Sequence, residues 1–489
     1  MRIIDLRGQN LSRAELLAAM PRAAMGTSEA TDLVRPILDD VKERGAAALR
    51  DFEEKFDHVR PKNLRVPVEA IKDALTTLDP EVRAAIEESV RRARAVAANQ
   101  VPKDFYTDLA EGARVAERWI PIQRVGLYVP GGKAVYPSSV IMNAVPAQAA
   151  GVESLAIATP PARDNEEGLP NKTILATCAI LGVDEVYAVG GAQAIAMFAY
   201  GAKGSEPQDG DILCDPVDKI TGPGNAFVAA AKQIVSGDVG IDMVAGPSEV
   251  CVLADATAKP MVVAADLMAQ AEHDPLAACY LVTCDEQFAR EVEAGIDILV
   301  AQSPRAEITR ASLDNEGTIV VAADMAAAVE AVNIVAPEHL ELHCKDAMGL
   351  LGGIRNAGAI FVGAWSSEPL GDYVAGPNHT LPTGGTAMFS NPLSVEEFVK
   401  RSSVICYTPE GLLSDAPATQ RLAEAEGLWA HALSAALRRR VLEQGEDAVS
   451  AESLTAADLT KVAWPGDAVA TVAEGVDLAA AAGATGEEA

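Results

Sequence analysis

Six histidines occur in the chain, and five of them lie in four local stretches whose residue types could perform chemistry. The first such stretch, residues 260–275, reads PMVVAADLMAQAEHDP and is typical of a helix that Pro260 opens and Pro275 ends. Gln270 and His273 are three residues apart, which predicts that they share one helix face near its C-terminal end. Glutamine is an uncommon zinc ligand, so the spacing alone favours a polar surface over a metal site.

The second stretch reads VAPEHLELHC and contains His339 and His343. A zinc-protease helix would require a glutamate directly after the first histidine, and here Glu341 is displaced by one position. The period-two alternation instead predicts a strand over 339–344. At a bent strand start, Glu338 and His339 could reach one cavity, where a carboxyl group and an imidazole suit general acid–base catalysis. The residues alone slightly favour a solvated glutamate and a packed histidine.

Two further stretches combine a histidine with a carboxylate. GDYVAGPNHTLPTGG carries Asp372 and His379 among glycines and prolines, which is typical either of a surface loop or of the wall of a site. AEAEGLWAH carries Glu426 and His431, whose separation of five residues is poor for one helix face. A break near Gly427 would be needed to bring these two side chains together.

Dinucleotide-binding signals are weak, because no GxGxxG motif follows a strand pattern. Three stretches place glycines between an apolar run and a helix pattern, where backbone amides could contact phosphates: GLYVPGG at 126–132, VGGAQAIA at 189–196 and ITGPGNAF at 220–227. A tight turn would explain each of them equally well.

The elements that must position these side chains alternate between short apolar runs and Ala-rich helical patterns. Strands are predicted at 125–129, 154–159, 185–190, 249–254, 279–284, 318–323 and 359–363. Helices are predicted at 80–100, 140–150, 172–181, 191–200, 261–273 and 417–440. This alternation predicts βαβ units with parallel sheets, in two sets that span about 125–242 and about 249–365.

Composition limits the partners and the compartment. A formal net charge of −30 argues against nucleic acid and anionic membranes as main partners. The seven cysteines are odd in number and lack a CxxC motif, which favours free thiols and a reducing cytoplasm. The sequence has no bilayer-spanning apolar run and no signal-peptide pattern at its start. The acidic residues 445–489, poor in large apolar side chains, predict a mostly disordered tail.

Residues 241–274, IDMVAGPSEVCVLADATAKPMVVAADLMAQAEHD, closely resemble the signature of the histidinol dehydrogenase family. The resemblance continues in the family's order through GLYVPGG, GGAQAIA, DKITGPGN, APEHLEL, GDYVAGPNHTLPTGG and EGLWAH, over residues 1–440. This combination is far more specific than any single motif, and it reverses the preference for ordinary surface at the four histidine stretches.

The resemblance implies an α/β fold with two incomplete Rossmann-like domains, whose parallel sheets are flanked by helices, and small terminal domains swapped in a homodimer. The corresponding parts are an N-terminal dimerisation segment, a first Rossmann-like domain with most metal and catalytic residues, an NAD-side Rossmann-like domain, a small C-terminal domain and an acidic tail. Their bounds are 1–25, 26–127 with 250–393, 128–249, 394–440 and 441–489. The connection at 201–219 looks longer than is usual in the family.

The resemblance also implies residue roles at the matching positions. Zn²⁺ would be bound by Gln270, His273, Asp372 and His431, the last from the partner chain. The acid–base pair would be Glu338 and His339. Further substrate contacts, beyond the metal ligands and His339, would be Ser248, His379 and Glu426. NAD⁺ would contact Tyr128, Gln193 and Asn225.

The implied reaction is the four-electron oxidation of L-histidinol to L-histidine through a bound aldehyde, which completes histidine biosynthesis and uses two NAD⁺. His339 would act as the base in both oxidations, and Glu338 would activate the water that hydrates the aldehyde. The metal would hold the substrate's imidazole and amine nitrogens. Three alternatives are a paralogue that oxidises another small polar alcohol, such as a sulfonated diol, a zinc hydrolase built on His339 and His343, and a non-catalytic nucleotide-binding scaffold.

Overall fold

The computed structural model describes residues 1–9, 11–21, 27–131, 134–450 and 453–454. Two compact units are present: Met1–Pro102 with Pro121–Lys400, and Lys103–Ile120 with the chain from Arg401 onwards. Gly132, the last residue of GLYVPGG, and residues 455–489 of the predicted tail lie outside the described residues.

The strands of the described residues are mostly short, between two and nine residues long. In chain order they are β1 (Arg2–Asp5), β2 (Phe105–Ala110), β3 (Ala113–Pro121), β4 (Arg124–Tyr128), β5 (Ser154–Thr159), β6 (Val186–Ala188), β7 (Ala202–Lys203), β8 (Ile212–Cys214), β9 (Lys219–Thr221), β10 (Gly240–Ile241), β11 (Glu249–Ala254), β12 (Ala278–Thr283), β13 (Thr318–Val321), β14 (His339–His343), β15 (Ala359–Val362) and β16 (Val399–Tyr407).

The α-helices of the described residues separate most of these strands. They are α1 (Arg13–Ala19), α2 (Thr27–Arg44), α3 (Ala46–Phe56), α4 (Val68–Thr76), α5 (Pro80–Gln100), α6 (Pro137–Ala150), α7 (Lys172–Leu181), α8 (Gly191–Tyr200), α9 (Ala226–Val235), α10 (Pro260–Ala271), α11 (Glu286–Val300), α12 (Ala306–Asn315), α13 (Met325–Val335), α14 (Ala347–Leu350), α15 (Glu368–Tyr373), α16 (Pro409–Ala425) and α17 (Trp429–Gln444).

The first sheet of the larger unit has six strands in the order β1-β13-β12-β11-β14-β15, and every pairing is parallel. Helices cover both faces, which explains why β11, β12 and β13 are buried at every position. Leu253, Leu340 and Leu342 pack with α13 on one face, whereas Val250 and Val252 pack with α10 and α11 on the other. This sheet contains the predicted set at 249–365, with β1 added at its edge.

The second sheet of the larger unit has the order β10-β9-β4-β5-β6 and is also parallel. One face packs with α2, α3, α8 and α9, and the other with α4, α5, α6 and α7. The helix α6 is buried on nearly every side, which its apolar composition allows. These strands confirm the predicted set at 125–242.

The structure distributes residues 26–127 differently from the domain division taken from the family resemblance. That division grouped 26–127 with 250–393, but α2, α3, α4 and α5 supply the cores on the two faces of the second sheet. β4 lies in the middle of the same sheet. The reason is that the apolar faces of these helices complete the cover of a sheet whose own 128–249 segment supplies only α6 to α9.

The smaller unit contains an antiparallel hairpin that the strand patterns did not predict. β2 and β3 pair with each other, and β16 joins them in the order β16-β3-β2. The turn between β2 and β3 contains Gly112 at a φ of 76°, a backbone conformation that favours glycine. β2 is exposed along its whole length, so it lacks the apolar run by which the other strands were predicted.

Most predicted elements are confirmed to within a few residues, including the strands at 154–159 and 249–254 and the helix at 80–100. The helix predicted at 417–440 is instead two helices, α16 and α17, separated at Gly427, whose φ is 73°. α17 continues to Gln444, past the boundary at 441 that the family resemblance placed between the C-terminal domain and the acidic tail. None of the described helices combines the length and apolar content needed to span a bilayer.

Candidate active site

Glu338 and His339 lie at the start of β14, on the amino-terminal edge of the first sheet. α13 ends at Val335, and its C-cap Ala336, with a left-handed φ of 49°, turns the chain sharply before Pro337. The Glu338 carbonyl then accepts a hydrogen bond from the N–H of Ala359 (2.9 Å). The expected bend at the strand start is therefore present, and both side chains are buried. In open α/β sheets ligands usually bind at the opposite, carboxyl-terminal edge.

The imidazole of His339 is held as a neutral base. Its Nδ1 lies 3.2 Å from the carbonyl oxygen of Glu249, which can only accept, so Nδ1 carries the proton. Nε2 then has a lone pair, and it has no hydrogen-bond partner among the described residues. Burial lowers the pKa of His339 to about 4, although the nearby Asp372 carboxylate opposes this.

Glu338 lies beside this imidazole and has the opposite pKa shift. Its Oε2 is 3.8 Å from His339 Nδ1 and accepts a hydrogen bond from the N–H of Glu249 (2.9 Å). Burial raises the pKa of Glu338 well above its usual value, and hydrogen bonds from Glu249 and Ser248 oppose the shift. A buried carboxyl group whose pKa is raised holds a proton more tightly than an exposed glutamate, which suits general acid–base catalysis.

Metal-ligand atoms converge next to this pair. One ligand atom each from His273, Glu368 and Asp372 lies within 4.8 Å of the others. The Oε1 of Gln270 is buried and has no hydrogen-bond partner among the described residues. A buried amide oxygen without a partner is suited to bind a metal ion. Imidazole nitrogen and carboxylate oxygens are ligands that Zn²⁺ prefers. Asp372 Oδ1 is 4.0 Å from His339 Nε2, which brings the metal-ligand group and the base together.

Two local predictions at this group were wrong. α10 ends at Ala271, and its cap is Glu272, so His273 lies in the turn beyond the helix rather than on a helix face. Asp372 was expected among turn residues, but it lies in the short helix α15. The prolines and glycines that surround these positions in the sequence did not mark the true helix ends.

Two predicted substrate-contacting residues lie against the same side chains. His379 Nδ1 is 3.2 Å from the Asp372 carbonyl oxygen and 3.7 Å from Asp372 Oδ1. Ser248 directly precedes β11 and forms the hydrogen bond that opposes the pKa shift of Glu338. The structure therefore brings Ser248 and His379 together with Glu338, His339 and Asp372.

The other two predicted residues of the site, Glu426 and His431, lie in the smaller unit. Glu426 caps the end of α16, and His431 lies in the first turn of α17. Both are exposed on this chain. The break near Gly427 that bringing these two side chains together would require is present.

The three predicted NAD⁺-contacting residues gather at the carboxyl ends of strands in the second sheet. Tyr128 ends β4, and its hydroxyl accepts a hydrogen bond from the N–H of Gly191 (3.1 Å). Gln193 lies in the first turn of α8, and Asn225 caps α9. Gly222 lies so close to β4 that a Cβ there would approach the Tyr128 carbonyl oxygen to 2.0 Å. β4 is flanked by β5 on one side and β9 on the other, which is the strand-order reversal where dinucleotides bind in such sheets.

The model of the histidinol dehydrogenase family matches residues 20–439 of this chain. That range contains every residue that was predicted to act in the site. The chain belongs to the histidinol dehydrogenase family.

Curated relatives and a solved structure agree with this assignment. A histidinol dehydrogenase of Bifidobacterium longum is 74% identical over 432 residues, covering 88% of this chain and 92% of the relative. One from Thermobifida fusca is 51% identical over 446 residues, covering 91% and 98%. The crystal structure of histidinol dehydrogenase from Elizabethkingia anophelis superimposes with a TM-score of 0.83 at 33% identity and covers 91% of this chain and 99% of that one.

Membership in the histidinol dehydrogenase family argues against the zinc-hydrolase hypothesis, and so does the local structure. His339 and His343 lie on a strand, so HLELH is not the metal-binding helix of a protease. The prediction of a strand over 339–344 is confirmed to within one residue.

Glu368 is the site residue that the sequence analysis missed. It is the first residue of α15, four positions before Asp372, and only 2% of its surface is exposed. Burial raises its pKa well above the usual value, and the charge of Asp372 adds to the shift. The i, i+4 spacing of two acids was the available signal, but it is informative only once 368–373 is known to be a helix.

Proposed function

We propose that this chain oxidises L-histidinol to L-histidine in two successive two-electron steps, with two NAD⁺ and with one Zn²⁺ in the active site of each subunit. The observation that carries this proposal is the Nε2 of His339, which lies beside the metal-ligand group and has no hydrogen-bond partner in the described part of the chain, in a member of the histidinol dehydrogenase family. The names of the similar proteins support the substrate. The reaction belongs to the end of histidine biosynthesis.

Gln270, His273 and Asp372 of this chain would hold the metal, and Glu368 lies close enough to add a carboxylate. When bound, Zn²⁺ supplies a Lewis acid that binds the imidazole and amine nitrogens of the substrate and so orients it. The side chains of Ser248 and His379 would line the rest of the substrate site.

His339 would take the proton of the substrate hydroxyl at Nε2 in the first oxidation. The Glu249 carbonyl fixes the proton on Nδ1, so Nε2 is the only acceptor that the ring offers. A pKa lowered to about 4 by burial keeps the ring neutral at physiological pH. The hydride would pass to NAD⁺ held at the carboxyl ends of the second sheet by Tyr128, Gln193 and Asn225.

Glu338 would take a proton from the water that hydrates the bound aldehyde. Its raised pKa makes its carboxylate a better base than an exposed glutamate. His339 would again act as the base when the hydrate is oxidised. Retaining the aldehyde between the two steps requires a closed site, because a free aldehyde would react elsewhere.

A homodimer with shared sites completes the proposal. His431 and Glu426 are exposed on this chain, so their side chains are available to complete the active site of a partner subunit. His431 of one subunit would be the fourth metal ligand of the other. A cytoplasmic location suits the seven free cysteines of the chain.

An assay with purified protein tests the function. L-histidinol and NAD⁺ are expected to give two NADH per histidine, with activity lost on chelation and restored by Zn²⁺. A sulfonated diol in place of histidinol serves as the comparison substrate. Absence of NADH with histidinol, or faster turnover of the diol, would overturn the proposal.

A further inference from the structure

β14 carries two more ionisable side chains on the same face as His339. Side chains on a strand alternate, so His339, Glu341 and His343 share one face, while Leu340 and Leu342 pack with α13 on the other. Asp266 on α10 meets this face. The group of Asp266, Glu341 and His343 is deeply buried, with exposed fractions of 8%, 0% and 4%.

The atoms of this group have the spacing of metal ligands. His343 Nε2 lies 3.1 Å from Glu341 Oε2 and 3.4 Å from Asp266 Oδ2. The three ligand atoms all lie within 4.8 Å of one another. Tetrahedral ligands about 2.0–2.1 Å from a zinc ion would be roughly 3.3 Å apart, so the two measured distances fit such an ion.

The charges of the group need a counter-charge. Two carboxylates are buried here, and the only cationic partner in their ion pairs, among the described residues, is His343. Asp266 Oδ2 is buried without a hydrogen-bond partner in the described part of the chain and points at the group. A buried carboxylate without a counter-charge is unfavourable, so these two acids favour a bound cation or a bound proton.

We propose that Asp266, Glu341 and His343 bind a second divalent transition-metal ion, such as Zn²⁺, distinct from the metal of the proposed active site. One imidazole and two carboxylates are a ligand set that Zn²⁺, Co²⁺ and Mn²⁺ accept. A bound cation neutralises both carboxylates and binds Asp266 Oδ2, which accepts no hydrogen bond from the described residues.

The position of this second site gives it a structural role. A metal ion would join α10 to β14, and these elements also carry Gln270 and His339 of the candidate active site. Glu341 Oε1 accepts a hydrogen bond from the N–H of Glu368 (2.8 Å), so α15 is joined to the same point. The ion would thus fix the three elements whose ends meet at the active site.

Metal content of the full-length protein tests the second site. Wild type, His343→Gln and His273→Ala proteins are stripped with a chelator, reloaded with Zn²⁺, freed of excess and measured by mass spectrometry. We expect two zinc ions per chain in the wild type and one in each variant. His58→Gln, which changes an exposed histidine, is the matched control and should keep both.

The variants separate the two metal proposals. If only the active-site proposal fails, His273→Ala has no effect, and His343→Gln still lowers the zinc content by one. One zinc in the wild type that His343→Gln leaves unchanged would overturn the second site, and the buried acids would then be protonated instead.

A spectroscopic experiment tests the second site even if the His343→Gln protein fails to fold. Co²⁺ is loaded into His273→Ala protein, in which the active-site contribution is reduced, with and without Asp266→Asn. We expect visible Co²⁺ absorption bands that Asp266→Asn removes or shifts, with circular dichroism showing that both proteins are folded. Identical spectra in the two folded proteins would contradict the proposal.

Discussion

At the scale of single residues, burial shifts the pKa values of Glu338 and His339 in opposite directions. Removing water disfavours the charged form of each group, so the pKa of the carboxyl group rises and that of the imidazole falls. Glu249 contacts both side chains through its backbone, since its N–H meets Glu338 and its carbonyl meets His339. The start of β11 therefore sets the geometry and the tautomer of the pair.

Replacing Glu338 with glutamine should slow the second oxidation more than the first. The amide cannot take a proton from water, while the backbone contacts that orient His339 are retained. We expect aldehyde oxidation to fall by about 10²–10⁴-fold and alcohol oxidation by much less. Single-turnover NADH formation from histidinol and from the aldehyde measures the two steps, with Glu330→Gln on the exposed face of α13 as the control. Equal losses in both steps would contradict a water-activating role.

At the scale of elements, Gly358, the residue directly before β15, leaves room for the backbone of Glu338 in the predicted acid–base pair. A Cβ on Gly358 would lie 2.5 Å from the Glu338 carbonyl oxygen, which cannot move without displacing the strand start. Gly358→Ala should therefore lower kcat/KM by on the order of ten- to a hundredfold, because small displacements of catalytic groups are costly. Gly352→Ala is the control, since a Cβ there meets nothing within 4 Å. Steady-state kinetics showing equal activity in both variants would refute this.

The helix α3 carries a buried acid, Glu53, to the candidate NAD⁺ site. Its Oε1 accepts hydrogen bonds from Gln193 Nε2 (2.8 Å) and from the N–H of Gly190 (2.9 Å). Burial raises the pKa of Glu53 to about 8, although these hydrogen bonds oppose the shift. Glu53 therefore positions the Gln193 side chain through a hydrogen bond. Because the Glu53 carboxyl group is buried, its contribution to the free energy of unfolding depends on pH.

The pH dependence of unfolding follows from that raised pKa. Between the unfolded value of 4.5 and about 8, the native state binds the extra proton, so the contribution of Glu53 to the free energy of unfolding falls as pH rises. Glu53→Gln keeps an acceptor oxygen without the titration. Its stability relative to wild type should rise from pH 5.5 to pH 8.5 by on the order of 3 kcal/mol, measured by urea unfolding. The exposed neighbour Glu54→Gln should show no such trend, and a flat difference for both variants would count against the assignment.

Elements that bury continuous apolar runs were predictable from the sequence, and those that do not were missed. β5 and β11 are covered on both faces, so their composition alone marks them, whereas the exposed β2 has no such signal. The site depended on the resemblance, because Gln270 and His273 alone favour a polar surface. Glu368 was missed since its role depends on packing of α15 against residues far away in sequence.

At the scale of the whole molecule, the predicted residues are divided between the two units. Gln270, His273 and Asp372 belong to the larger unit, and Glu426 and His431 to the smaller one. A C₂ dimer would place each exposed His431 in equivalent surroundings, so two identical sites would form together. The proposed dimer therefore makes activity a property of subunit pairs.

Mixing two inactive variants tests whether His431 serves the partner subunit. In a dimer of one His431→Ala subunit and one Gln270→Ala subunit, the site that retains Gln270 would receive the intact His431 of the other subunit. The second site of the same dimer would lack both ligands, so the mixed dimer should recover about half of the wild-type activity. Co-expression with two different tags allows the mixed species to be purified and assayed beside each parent. A verified mixed dimer without activity would mean that His431 acts within its own chain or not at all.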